Sequence, residues 1–174
     1  MANQEKSNDQ VRIVYAHFGL AVYLAQVLEH GLANALMSAE LLPQRAGKPV
    51  PRKQWEEEFN AFMEQQFKHT LGRLIQRLES ITSVPDDLED LLTEALAKRN
   101  FLAHHYFRER AEPLMSHSGR EQMIAELHEA QKLFERADDR LDKVTTPLLE
   151  GYGLTDDKLK PFMDEYMARF ANDL

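Results

Sequence analysis

Apolar positions recur along the chain at three- and four-residue intervals, β-branched residues are sparse and no stretch alternates with period two. The pattern therefore predicts an all-α protein. A first helix is expected from about Val11 to Leu42, apolar on nearly every side between Ile13 and Leu28, as suits a helix at the centre of a bundle or in a subunit interface. Pro43, Gly47, Pro49 and Pro51 then force a loop, because proline lacks the backbone donor that continues a helix. Trp55, Phe59, Phe62, Met63 and Phe67 share one face of a second helix and read as core packing. A break at Thr70, Leu71 and Gly72 leads to a short helical piece carrying Leu74, Ile75 and Leu78. Pro85, followed by Asp86 and Asp87 at the positive end of the helix dipole, opens a third helix that runs to about Arg110.

Glu112 to Gly119 reads as a loop, and a fourth helix from about Arg120 to Leu149 turns Met123, Ile124, Leu127, Leu133, Phe134, Leu141 and Val144 inward. Gly151 and Gly153 bracket a turn, after which Thr155 caps a last helix ending near residue 172, with Leu159, Phe162, Met163, Tyr166, Met167 and Phe170 in one stripe. The expected architecture is a single domain over 1–174. It comprises an antiparallel bundle of about five helices, with the bundle proper over 11–149 and an additional C-terminal helix over 155–172.

Composition narrows the function classes. The chain of 174 residues, 43% apolar and 29% charged, is of one-domain size and buries roughly two-thirds of its unfolded surface without metals or disulfides. The absence of cysteine excludes disulfides and thiolate metal sites. The polar start MANQEKSNDQ has no apolar signal core, and Arg12, His17 and Gln26 interrupt the most hydrophobic stretch, so a cytoplasmic protein without a membrane segment is expected. With 21 basic against 29 acidic residues the net charge is −8, which excludes coating nucleic acid by bulk attraction. Two segments stand apart from that balance. PQRAGKPVPRK over 43–53 contains Arg45, Lys48, Arg52 and Lys53 with no acid, and 98–120 sets five basic residues against Glu109 and Glu112. No histidine has Glu three residues before it, and HExxH, a glycine-rich phosphate loop and G-x-S-x-G are all absent, so neither metal nor nucleotide cofactor is expected.

The third helix breaks its own pattern. Leu88, Leu92, Ala95, Arg99, Leu102 and Tyr106 follow a helical stripe in which Arg99 stands where leucine is expected. A guanidinium cannot shed its charge, so a packing face tolerates it only where carboxylate, phosphate or water meets it. Asn100 and His104 project over the adjoining flank, His105 points away, and Tyr106 falls on the Arg99 stripe. Two readings stand side by side at this point: Arg99 pairs with a glutamate while His104 and Tyr106 are structural, or the three serve a site.

The run Arg99-Asn100-Phe101-Leu102-Ala103-His104, late in a long helix of a cysteine-free all-α domain, resembles the R-x4-H signature of the HEPN superfamily. Tyr106 extends it to the R-x4-H-x-Y form of HepT-like toxins. The resemblance implies a metal-independent endoribonuclease, acting as a toxin, in defence or in RNA processing, with the motifs of two protomers meeting in a cleft at a homodimer interface. It implies catalytic roles for Arg99, Asn100, His104 and Tyr106, with Lys98, His105, Arg108 and Arg110 along the RNA path. It also implies that Tyr106 can be modified by a partner nucleotidyltransferase antitoxin. The chemistry is consistent, because such cleavage needs a base for the 2′-hydroxyl, an acid for the leaving 5′-oxygen and a cation for the charge growing on phosphorus. Imidazole changes charge near neutral pH and guanidinium grips phosphate in a planar fork. A twofold dimer would supply two such histidines. The basic loop at 43–53 and the helix after Gly151 exceed what a compact HepT-like toxin requires. A non-catalytic HEPN-like dimeric module that binds RNA, a nucleotide or a protein partner fits the same residues.

Overall fold

A computed structural model of the chain describes residues 2–48 and 50–155 together with 157, 158, 160, 161, 164 and 168, and all regular structure among them is helical. Three long helices dominate: α1 (Ala2–Leu36), α5 (Asp86–His104) and α8 (His117–Gly151). A π-helical turn, Met37–Leu41, extends α1 into α2 (Leu42–Arg45), and α3 (Arg52–Gln66) and α4 (Leu71–Ile81) lead to α5. Two single-turn helices, α6 (Tyr106–Glu109) and α7 (Ala111–Leu114), connect α5 to α8.

Cross-helix pairs set the directions. Gln10 meets Arg120, His17 meets Gln131 and Gly31 approaches Asp138, so α1 and α8 run parallel. Arg99 reaches Glu29 while Phe107 packs on Phe18 and Tyr15, and Arg140 pairs with Asp87 while Tyr106 reaches Met123. Helix α5 is therefore antiparallel to both of its long neighbours. The core between them is built from Val14, Ala21, Leu28, Leu32 and Leu36 of α1, Leu88, Leu92, Ala95 and Leu102 of α5, and Met123, Leu127, Phe134 and Leu141 of α8. Burying a leucine or phenylalanine of this set contributes about 1.5–3 kcal/mol. One face of α4 (Leu71, Leu74, Ile75, Leu78) joins the same core.

Several boundaries depart from the periodic pattern. The first helix does not stop at the prolines. At the π turn, Leu42 N–H bonds Met37 carbonyl, five residues back, and the register restarts there. Pro43 then sits in the first turn of α2, where its missing N–H costs nothing. The third helix ends at His104, not Arg110, because His105 leaves helical geometry at φ −129, ψ −25. The expected loop at 112–119 contains α7, and α8 begins earlier than Arg120, with Ser116 Oγ accepting from Gly119 N at 3.0 Å as its cap. Glycine is required at 119: a Cβ there would lie 2.2 Å from the Pro113 carbonyl oxygen. Gly153 (φ +76) makes the turn after α8, whereas Gly151 is its last helical residue.

The aromatic face of α3 is not core. Trp55, Phe59, Phe62 and Met63 are half-buried and Phe67 is exposed; α3 meets the bundle chiefly at the π turn and α1, where Phe62 packs against the core, and Gln66 at its end is reached by Arg77 of α4. Among the described residues, two of the four cations of the basic loop are paired: Arg45 with Glu58 at 2.7 Å and Arg52 with Glu56 at 2.7 Å, while Lys48 donates to the Gln44 carbonyl. By length and composition, the helical run Asn8–Arg45 is apolar enough to cross a membrane, with mean hydropathy 1.5 in its most apolar window, so Arg12, His17 and Gln26 do not break it by that measure. Its inner side is core, while Tyr15, Leu20 and Tyr23 on its outer side are exposed. The stripe from Leu159 to Phe170, expected in the last helix, lies outside the described residues.

Candidate functional site

The antiparallel crossing of α1 and α5 leaves a cleft of ≈ 360 Å³. Phe18, Val22, Ala25, Gln26 and Glu29 form the α1 wall, and Arg99, Leu102, Ala103 and His104 the α5 wall. The space exists because alanines stand where larger side chains would have closed it. Ala25 and Ala103 face a region that leucine or phenylalanine would fill.

Arg99 occupies the expected gap in its stripe. Leu88, Leu92, Ala95, Leu102 and Tyr106 are buried, while Arg99 is half-buried with its guanidinium in the cleft. Arg99 Nη2 donates to Glu29 Oε1 at 3.0 Å, and Nη1 to Asn100 Oδ1 at 3.2 Å. The carboxylate that the packing argument demanded thus comes from α1. Glu29 is the cleft residue that the sequence pattern did not single out. Its signal was available, because it is the one carboxylate between Asp9 and Glu40.

His104 ends α5, is exposed, and opens to the same cleft. Its ring makes no hydrogen bond among the described residues and lies 6.2 Å from that of His105. Asn100 is exposed and sits outside the cleft lining, reaching it only through Arg99.

Tyr106 does not join this group. It lies in the core like the leucines of its stripe, 1% exposed, stacked near Phe18 and edge-on to Phe101, with its hydroxyl donating to the Met123 carbonyl at 3.2 Å. Burial first, and then the nearby Glu126 carboxylate, holds its phenol well above the usual tyrosine range. A neutral, internally bonded hydroxyl is neither an acid for a substrate in the cleft nor, in this conformation, a target for modification.

The basic flank also divides. Arg110 is held in a bidentate pair by Glu126 at 2.9 and 2.8 Å and lies over the Phe101 ring. Its fork is therefore occupied and it offers little to phosphate. Lys98 rests 5.9 Å from the Phe101 centroid. Arg108 is exposed, with Nη2 3.3 Å from His105 Nδ1, so these two form a separate polar pair beyond the end of α5. No group of three or more metal-ligating side chains occurs among the described residues. The arrangement can grip an anion at Arg99 and exchange a proton at His104. The chain matches no family model, no curated protein and no solved structure.

Proposed function

We propose that the protein is a metal-independent endoribonuclease of HEPN type, acting as a homodimer on RNA in a toxin or defence setting. One observation carries the reading: Arg99 and His104, a fixed cation and a proton carrier, open to one cleft whose remaining walls are mostly apolar. In that role Arg99 binds the scissile phosphate and offsets the charge that grows on it, while His104 moves a proton to or from the ribose or the leaving oxygen. One protomer holds a single cleft histidine, and cleavage with both a base and an acid calls for two. The exposed Tyr15 and Tyr23 of α1, on the flank of the helix nearest the cleft wall, supply an apolar surface on which a second copy would bring its own His104 close.

Phosphate must displace Glu29 from Arg99; a backbone phosphodiester carries the same single negative charge as the carboxylate, so the advantage of RNA lies in the charge that grows on phosphorus during cleavage. The same pair favours a second reading. An arginine already neutralised by an internal carboxylate, without Asn100 or Tyr106 in the cleft, also suits a non-catalytic module that binds RNA, a nucleotide or a protein partner. Control by a nucleotidyltransferase acting on Tyr106 would require the α6 turn to open first.

The deciding experiment is incubation of total and transfer RNA in EDTA with wild type, His104→Ala and Arg99→Ala, with end-group analysis. Wild-type cleavage leaving 2′,3′-cyclic phosphate ends, lost in both variants, is expected. RNA bound but never cut selects the binding module, and cleavage that survives both substitutions rejects the site.

A further inference from the structure

Two contacts fix where the α3–α4 corner lies relative to the cleft. The Phe67 ring, just past α3, packs on His30 with centroids 4.5 Å apart, and His30 comes directly after Glu29 of the cleft wall. Gly72, in the first turn of α4, lies against Leu96, where a Cβ would meet Cδ2 at 3.4 Å, and Leu96 stands one turn before Arg99. Both cleft walls therefore run into this corner at their Glu29–Arg99 end, opposite the end formed by Phe18 and His104.

From the corner a row of donors leads away along the solvent side of α4. His69, Arg73, Gln76 and Ser80, flanked by Arg77, line a shallow open groove of ≈ 350 Å³ with no carboxylate in its lining. Within α4, Arg73, Gln76 and Ser80 are three and four residues apart and share one helical stripe about 10 Å long at 1.5 Å per residue, with His69 just before the helix. In a chain of net charge −8 this is a local exception. Arg77 is already held by Glu40 and Gln66, and Lys68 at the corner pairs, among the described residues, with the exposed Glu64 at 3.5 Å. Arg73 is exposed and its side chain makes no hydrogen bond or ion pair among the described residues. A groove open along its whole length differs from a small-molecule site, which encloses most of its ligand. It suits a chain that passes over it.

We infer that this row is a track for the phosphodiester backbone of an RNA strand leaving the Arg99 cleft. Arg73 makes the first phosphate contact, with Lys68 and His69 beside it and Gln76 donating further along, while the Ser80 hydroxyl is already given to the Arg77 carbonyl. The choice of RNA rests on the nuclease reading above, but binding along the track does not require cleavage, so the two can fail separately.

The test measures anisotropy of a fluorescein-labelled 2′-O-methyl oligouridylate, which cannot be cut by 2′-hydroxyl attack, against the full-length protein over a salt series. Lys68→Ala/Arg73→Ala should weaken binding at least fivefold and lower the slope of log affinity on log salt by about 1.4, or about 0.7 for each cation removed. Arg73→Lys, which keeps the charge, should retain most of the slope. Circular dichroism and the thermal transition confirm that the variants fold. An unchanged slope in the double variant, or no binding by wild type, overturns the track. Polyglutamate of equal charge binding as tightly as the RNA also overturns it, in favour of an acidic protein partner. Wild-type RNA cleavage is read in the separate EDTA assay, so loss of the nuclease reading with an intact salt slope leaves the track standing.

Discussion

Arg99 and Glu29 stand seventy positions apart in the chain and meet at 3.0 Å across the mouth of the α1–α5 cleft. Each is partly open to solvent, with side-chain exposures of 30% and 23%, so their attraction is screened and contributes about 1 kcal/mol or less to folding. The larger effect of the pair is on anions, since Glu29 competes for the fork that phosphate would use.

Glu29→Gln should therefore tighten RNA binding by about fivefold at low salt, on the order of 1 kcal/mol, while the urea midpoint moves little. Anisotropy titration with an uncleavable RNA reads this directly. Weaker binding in the variant would mean that Glu29 positions Arg99 for its ligand and does not compete with it.

Tyr106→Phe removes a buried donor from the Met123 carbonyl and should cost about 1 kcal/mol of stability. It should leave cleavage per folded molecule unchanged, because the hydroxyl is outside the cleft. Burial raises the phenol above its ordinary value of 10.0, so the folded state favours the protonated form. That contribution is complete below pH 10 and is lost as pH rises further and the unfolded chain ionises. Urea melts between neutral pH and strong alkali should show wild-type stability falling above pH 10 more steeply than that of Tyr106→Phe.

His17 and His128 pack edge to face with centroids 4.3 Å apart, joining α1 to α8, and Gln131 donates to the His17 carbonyl. Burial, and then the His128 imidazole, holds His17 below its ordinary 6.5. A lowered value in the folded state means that stability is full above 6.5 and is lost as pH falls through the folded value, because the unfolded chain takes up the proton first. Thermal midpoints between pH 7.5 and 5 should decline less in His17→Gln than in wild type (a window set by the ordinary imidazole value of about 6.5). Equal declines would place the acid sensitivity elsewhere.

Gly119→Ala drives a methyl group into the Pro113 backbone, which has no flexible side chain to yield. The usual gain from alanine in a helix is outweighed, and a loss of about 3 kcal/mol is expected from denaturant midpoints. Wild-type stability in this variant would mean that α7 shifts freely against α8.

The helical class and the inward residues of α4, α5 and α8 were legible in the sequence because burial there follows the helical period closely: Leu74, Leu78, Leu88, Leu92, Leu127 and Leu141 are all core. The gap at Arg99 was equally legible, since an obligatory charge on an apolar stripe is a local contradiction. Its partner was not, because Glu29 comes from a crossing that no single helix specifies. Periodicity places Tyr106 on the stripe of Leu88, Leu92, Ala95 and Leu102, which is the buried one; its catalytic role rests on the resemblance alone, and its hydroxyl is bonded inside the core. The backbone departure at His105, which no proline or glycine announces, was not legible. On α3 the spacing identified an aromatic face correctly but could not say whether anything packs against it. Pro43 misled in the opposite sense, because a single wide turn upstream absorbs it.

That wide turn makes the chain sensitive to length in a way that composition does not reveal. A π turn behaves as one residue inserted into an α-helix, so it sets the phase between the helix before Met37 and the segment after Leu41. Excising Ala39 would restore an unbroken helix and rotate the downstream segment by about 100° about the axis, one residue's share of a 3.6-residue turn. Glu40 would swing away from Arg77, and Pro43 would fall inside a continuous helix that has no place for it. The hinge between α1 and the α3–α4 corner is thus held by a count of residues, and a one-residue deletion there should be more damaging than most substitutions at the same positions.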